Sequence, residues 1–197
     1  MIKLPPSIPS TVSKTRVYDG NRISLRVDCI EFDGRIEANA EVIEHPGSVA
    51  IIPLTDDGQI IFVRQWRQAS QCICLELPAG TLEPNETPVS AGQRELREET
   101  GYRAGNLYAI NNTWVAPGYS EEQTYSFLAT DLETDPLPKD FDEQIDIVEV
   151  PVNTVGRLIV SGELKDQMSI AALYSLMIIH RDNDQIESDI VEHLRNL

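Results

Sequence analysis

The chain is predicted to fold as an α+β protein of the α/β/α sandwich type, a mixed β-sheet between helical layers with a small antiparallel β unit in front of it. Three observations carry this. Strand-like and helix-like segments alternate irregularly along the 197 residues, a pattern of mixed sheets with helices on their faces. A helix with clear start and stop signals stands near the middle, at 88–100. Three strand-like runs separated by turn sequences crowd the first 46 residues. Residues 1–46 are therefore read as an N-terminal tail and β unit, and 47–197 as the main domain.

Taken in order, 15–18 and 22–32 read as strands joined through the turn Asp19-Gly20-Asn21. Asp33-Gly34 leads into a third strand, 35–44, in which polar and apolar residues alternate. His45-Pro46-Gly47 is a break. A nearly continuous apolar run, 48–54, turns at Asp56-Asp57-Gly58 into a strand at 59–66. Beyond the central helix, 106–114 and 123–132 read as strands, 133–142 as an acidic, proline-bearing loop and 145–150 as a strand. Asn153 can cap a helix reaching about 160, with Gly162 near its end, and 167–180 has helical apolar spacing. The charged stretch that follows is read as a short helix.

The central helix carries the chemistry. Thr87 is a good N-cap, Pro88 suits the first helical position and Gly101 is a natural stop. Glu95 lies three residues before Glu98 and four before Glu99, so all three share a helix side. Like charges so spaced cost a few tenths of a kcal/mol per pair. Arg94, four before Glu98, and Arg97 offset part of that, and a hard divalent cation would offset more. The competing reading of such a cluster is a solvated acidic face. Metal next to a glycine-rich turn suits diphosphate chemistry, and the pattern flanking the acids is what favours the metal here.

The flanking pattern resembles the signature of the Nudix hydrolases. Gly80, Glu86, Arg94, Glu95, Leu96, Glu98, Glu99 and Gly101 stand in register with it, and Tyr102 departs from the aliphatic residue the family prefers at the last position. Seven fixed letters coincide by chance on the order of once in 10^8 start positions, so the motif is specific. Val63-Arg64-Gln65-Trp66-Arg67, Leu75-Glu76-Leu77-Pro78-Ala79-Gly80 and Ala116-Pro117-Gly118-Tyr119-Ser120-Glu121-Glu122 look like the ADP-ribose pyrophosphatase branch, in which a proline follows the final glycine of the box by sixteen positions, as Pro117 follows Gly101. The resemblance covers roughly residues 45–182.

That resemblance implies a Mg²⁺-dependent hydrolase, with Mn²⁺ a possible substitute, splitting ADP-ribose into AMP and ribose 5-phosphate. It makes Glu95 and Glu99 the principal metal ligands with the Ala79 carbonyl. Glu98 either binds a second ion or polarises water, and Glu86 and Arg94 orient the box through a salt bridge. Gly80 is expected to let the backbone turn so that the Ala79 carbonyl points inward. Arg67 is the choice for diphosphate binding and Arg64 a second candidate, although their spacing in a strand puts them on opposite faces. Glu76 either accepts bonds from ribose or base or sits in a salt bridge. Glu121 matches a position that contacts the distal ribose, against the alternative of a solvated loop acid. Glu143, just before a strand, is nominated as general base. In this branch the N-terminal strands pack across a two-fold axis, so a homodimer is expected. The alternatives are another nucleoside diphosphate sugar as substrate, or a non-catalytic nucleotide sensor on the same fold.

Composition sets outer bounds. Apolar content of 41% and charged content of 24% are those of an ordinary globular chain. A net charge of −16 without a visible basic patch argues against nucleic-acid binding. It also means that bound metal and local arginines must reverse the field for an anionic substrate. No apolar run approaches the ~20 residues of a membrane span. The Pro- and Ser-rich start, 1–16, does not read as a signal peptide, and is expected to be partly disordered or draped on a neighbour. Cys29, Cys72 and Cys74 lack zinc spacing and are read as buried or partly buried thiols of a cytoplasmic protein, and His45, His180 and His193 show no metal pattern.

Overall fold

The computed structural model describes residues 8–138 and 144–182. The chain divides into two compact units, 1–47 with 114–123, and 48–113 with 124–197.

In the first unit, β1 (Ser10–Asp19), β2 (Ser24–Phe32) and β3 (Arg35–Glu44) form an antiparallel sheet in that order. β1 is longer than the sequence predicted. Its first half, Ser-Thr-Val-Ser-Lys, has little apolar signal, and its strand conformation comes from pairing, Ser10 opposite Glu31 and Lys14 opposite Asp28. All ten residues of β1 are exposed. The segment 114–123 joins this unit through Ile43, whose N–H donates to the Tyr119 carbonyl at 2.7 Å and whose carbonyl accepts from Glu121 N–H at 3.0 Å. Pro117 sits in the turn closed by bonds from the Tyr119 and Ser120 N–H groups to Ala116 O at 3.0 and 2.8 Å.

The second unit has the layered architecture. β4 (Ser48–Pro53) is central in a four-stranded sheet, β7-β4-β9-β8, with β7 (Ala79–Thr81), β8 (Tyr102–Trp114) and β9 (Gln123–Thr134). β4 runs parallel to β9 and antiparallel to β7, so the sheet is mixed. β5 (Gln59–Arg67) is flanked by β10 (Ile145–Pro151) and β6 (Cys72–Glu76), all antiparallel. Alternation along β4 divides the core. Val49 and Ile51 pack with Ala91 and Leu96 of α1 (Pro88–Thr100) and with Phe127 and Ala129. Ile52 joins Ile60, Phe62 and Leu128 in a second core with Val152, Val155 and Leu158 of α2 (Val152–Ser161) and Ala172, Leu173 and Leu176 of α3 (Gln167–Asp182). Helices thus cover both faces, the sandwich that the sequence predicts.

Several local expectations change. β6 and β7 were not legible as strands; they are short, and only their pairing with β5 and β4 fixes them. α2 begins two residues earlier than predicted, its N-cap position is Pro151 with no side-chain cap, and Asn153 lies inside its first turn. Cys72 is exposed rather than buried, and Cys29 and Cys74 are half-buried. The helix expected after 182 lies outside the described residues. Among the described residues no helix is long and apolar enough to cross a membrane.

Candidate active site

The box helix forms as its caps dictate. Thr87 Oγ1 accepts from Ser90 N–H at 3.2 Å, and Ser90 Oγ accepts from Thr87 N–H at 3.0 Å, a reciprocal cap that satisfies two otherwise orphaned donors. At the other end Gly101 adopts φ 80°, and its N–H donates to Arg97 O at 3.1 Å. A side chain is strained in that conformation, so the residue type fixes the stop.

Glu95 and Glu99 face inward, 8% and 2% exposed. Their neighbours are the turn into β7. Glu99 Oε2 accepts the Ala79 N–H at 3.0 Å, which ties the helix to the strand that carries the glycine. A Cβ on Gly80 would lie 1.9 Å from Glu95 Oε1. The sequence predicted that Gly80 is needed for an unusual backbone turn. Gly80 is not among the positive-φ glycines, and what it supplies is room for the Glu95 carboxylate against the backbone. Gly80→Ala should therefore leave the fold cooperative, displace the Glu95 carboxylate and lower turnover by roughly 10²-fold, the scale of losing one preorganised electrostatic group. Near-wild-type turnover in a steady-state assay would show that the close approach is dispensable.

Arg94 gathers the remaining acids. Its guanidinium meets Glu86 with both Nε and Nη2 at 2.9 Å, while Nη1 reaches Glu95 Oε1 at 2.7 Å and Glu98 Oε2 at 3.0 Å. Nη2 also donates to the Thr81 carbonyl at 3.0 Å. These five bonds match the five N–H donors of an arginine. The bond to Glu86 is the largest cause of a raised Arg94 pKa, and the charge of Glu95 and the bonds to Glu95 and Glu98 add to it against the cost of burial. Glu86 responds in the opposite sense. Its bonds to Arg94 hold it below its ordinary 4.5, more than burial raises it. A carboxyl depressed on folding stabilises the native state above its unfolded value, and that stability is lost as pH falls through the folded one. Urea midpoints should accordingly drop on acidification below about pH 4.5, and drop less in Glu86→Gln. Equal slopes for both proteins would remove Glu86 from the acid response.

Among the described residues no three acidic, histidine or cysteine groups stand together as a ready-made metal cage. Arg94 supplies the positive charge between Glu86, Glu95 and Glu98. The donor chemistry nonetheless fits a hard divalent cation. It consists of carboxylate oxygens on one helix face, two of the carboxylates being buried, against a cradle that a Cβ would fill. A cation bound at Glu95 and Glu98 would have to compete with Arg94 for the same oxygens.

The predicted substrate residues are placed as follows. Glu76 is buried and takes the salt-bridge role: it accepts from Arg67 Nη2 at 2.6 Å, from Arg67 Nε at 3.0 Å and from Gln65 Nε2 at 3.1 Å. Burial opposes the Arg67 charge, but the bonds and charge of Glu76 outweigh it and the pKa is raised. Arg67 keeps 37% of its side chain exposed. Arg64 is exposed, and the strand parity that sets it opposite Arg67 holds, with Leu75 as its cross-strand partner where Arg67 has Cys72. Glu121, in the first unit, bonds Arg26 Nη2 at 2.6 Å. Arg26 also meets Asp28 at 2.9 Å and Glu44 at 3.3 Å, and its pKa is raised, Glu121 first among the causes. Glu143 lies outside the described residues. Sequence reasoning missed Gln65 and Arg26. Gln65 was reachable: with the hairpin 67–72 assigned, cross-strand register puts Gln65 and Arg67 on the face of Glu76.

A capped acidic helix locked to a glycine turn at one edge of a layered mixed sheet defines a class, the acid-box hydrolases. The family described as the NUDIX domain matches residues 44–169. Over 170 residues the chain is 34% identical to an ADP-ribose pyrophosphatase of Bacillus subtilis (strain 168), across 85% of this chain and 92% of that protein. It is 32% identical over 169 residues to an ADP-ribose pyrophosphatase of Mycobacterium tuberculosis (strain ATCC 25618 / H37Rv), across 84% and 82%. A crystal structure of an ADP compounds hydrolase has the same fold, with TM-score 0.79, 21% identity and coverage of 90% of this chain and 97% of that one. The chain belongs to the Nudix family.

Proposed function

We propose that this protein hydrolyses the diphosphate bond of ADP-ribose to AMP and ribose 5-phosphate in the cytoplasm, with Mg²⁺ as cofactor. The observation that carries the reading is the box helix: Glu95 lodged on Gly80 and Glu99 gripping the Ala79 N–H. Similarity to two ADP-ribose pyrophosphatases over more than four-fifths of the chain supports the substrate. Glu95, Glu99 and the Ala79 carbonyl hold the cation, Glu98 polarises water or holds a second ion, and Glu86 and Arg94 keep the helix and the Thr81 turn in register. When bound, Mg²⁺ neutralises the diphosphate oxygens and acidifies water. Arg67, braced by Glu76 and Gln65, presents its exposed edge to the diphosphate, and Glu121 takes the distal ribose. Glu143 removes the proton from the attacking water. A homodimer is supported by β1, which is exposed along its length, Val12, Val17 and Tyr18 included.

The test is product analysis of ADP-ribose incubated with protein and Mg²⁺, beside GDP-mannose, and repeated with Glu143→Gln. AMP should appear with wild type, and Glu143→Gln should cut turnover by ~10²-fold or more with little change in binding. No AMP from ADP-ribose with product from GDP-mannose would redirect the substrate, and no product from either would favour a nucleotide sensor. Sedimentation as a pure monomer at micromolar concentration would remove the dimer.

A further inference from the structure

The edge strand β6 holds a second reactive group. Cys72 Sγ and Cys74 Sγ lie 3.6 Å apart on one strand face, and Ser70 Oγ stands 3.3 Å from the first sulfur and 3.7 Å from the second. Cys72 is exposed at the start of the strand and Cys74 half-buried behind it. Among the described residues β6 pairs on one side only, with β5, and it is entered through Gln71 at φ 51°. One end of the pair is therefore free of a second ladder and preceded by a turn. We propose that Cys72 and Cys74 form a redox modification site, a dithiol that hydroperoxides convert to an intrastrand disulfide.

The stereochemistry permits it at its limit. Two residues of strand span about 6.6 Å, and disulfides bridge Cα separations up to about 6.8 Å. A bridge at that limit is strained, and strained bridges are the readily reduced ones, so the modification is reversible. The roles of the two sulfurs differ. The Ser70 hydroxyl, and after it the Cys74 thiol, draw the Cys72 pKa below the ordinary thiol value, whereas burial pushes Cys74 up. Cys72 thus supplies the thiolate that attacks. Its sulfur bonds to a peroxide oxygen as the O–O bond breaks, and the leaving alkoxide or hydroxide takes a proton. Cys74, giving its proton to solvent, then attacks the sulfenic sulfur: an S–S bond forms, the S–O bond breaks and water departs. Two thiols are oxidised by two electrons, and the peroxide is reduced to alcohol and water, or to two waters when it is hydrogen peroxide.

The experiment treats the intact protein with hydrogen peroxide, blocks residual thiols with N-ethylmaleimide after unfolding, and analyses the peptides by mass spectrometry. The peptide containing both residues should lose two hydrogens and take up no maleimide, while Cys29 remains alkylated. Dithiothreitol should restore both sites. In Cys74→Ser, dimedone should label Cys72; in Cys72→Ser, Cys74 should remain alkylatable. Maleimide on both thiols after peroxide treatment that sulfenylates Cys72 in Cys74→Ser, or a bridge between chains instead of within one, would overturn the proposal.

Discussion

Glu99→Gln should abolish most AMP release from ADP-ribose, by roughly 10²- to 10³-fold, the scale of removing one preorganised charge from a catalytic site. The substitution is nearly isosteric, and the folded state should tolerate it. Glu99 is 2% exposed, and it accepts the Ala79 N–H at 3.0 Å, as an amide oxygen also does. What an amide cannot supply is the negative charge that holds a divalent cation. The decisive comparison pairs turnover with Mg²⁺ titration at constant urea midpoint. A large loss of turnover with an unchanged midpoint assigns Glu99 to the metal. Retained turnover would leave Glu99 as a brace for the glycine turn and move the ligand role to Glu95 and Glu98.

The centre of this site was legible because its signals are local. Thr87, Pro88 and Gly101 fix the ends of α1 by capping geometry alone, and the three-and-four spacing of the glutamates follows from the helix. The elements that escaped notice depend on pairing. The three residues of β7 and the five of β6 carry too little pattern, and β1 begins with residues whose conformation is set by β2. Side-chain partners across strands were hidden for the same reason. Glu76 and Arg67 are nine residues apart and meet only because β5 and β6 form a hairpin. Arg26 drew no notice in the sequence, yet it is buried among Asp28, Glu44 and Glu121 from three segments of chain. Gly80 shows the subtler limit. Its importance was legible, but its reason was not, since the constraint is a carboxylate fifteen residues later in the sequence.

Replacing Arg94 should have the largest effect on stability. Three carboxylates and the Thr81 carbonyl share its guanidinium, and 20% of the side chain is exposed. Arg94→Met removes the counter-charge and leaves Glu86, Glu95 and Glu98 facing one another. Breaking a buried charge pair from one side costs roughly 3 kcal/mol, which the urea midpoint in EDTA should register. Lysine should recover little of this, because a point charge with three donors cannot reproduce a fork that makes five bonds toward four residues. Magnesium separates the structural account from the electrostatic one. In the wild type a cation entering at Glu95 and Glu98 would compete with Arg94, so its net stabilisation should be small. In Arg94→Met it meets no competitor and relieves repulsion, so added Mg²⁺ should raise the midpoint more than in the wild type. An equal Mg²⁺ effect in both proteins would mean that the cation and Arg94 do not share oxygens, and that Glu95 and Glu98 serve the arginine alone.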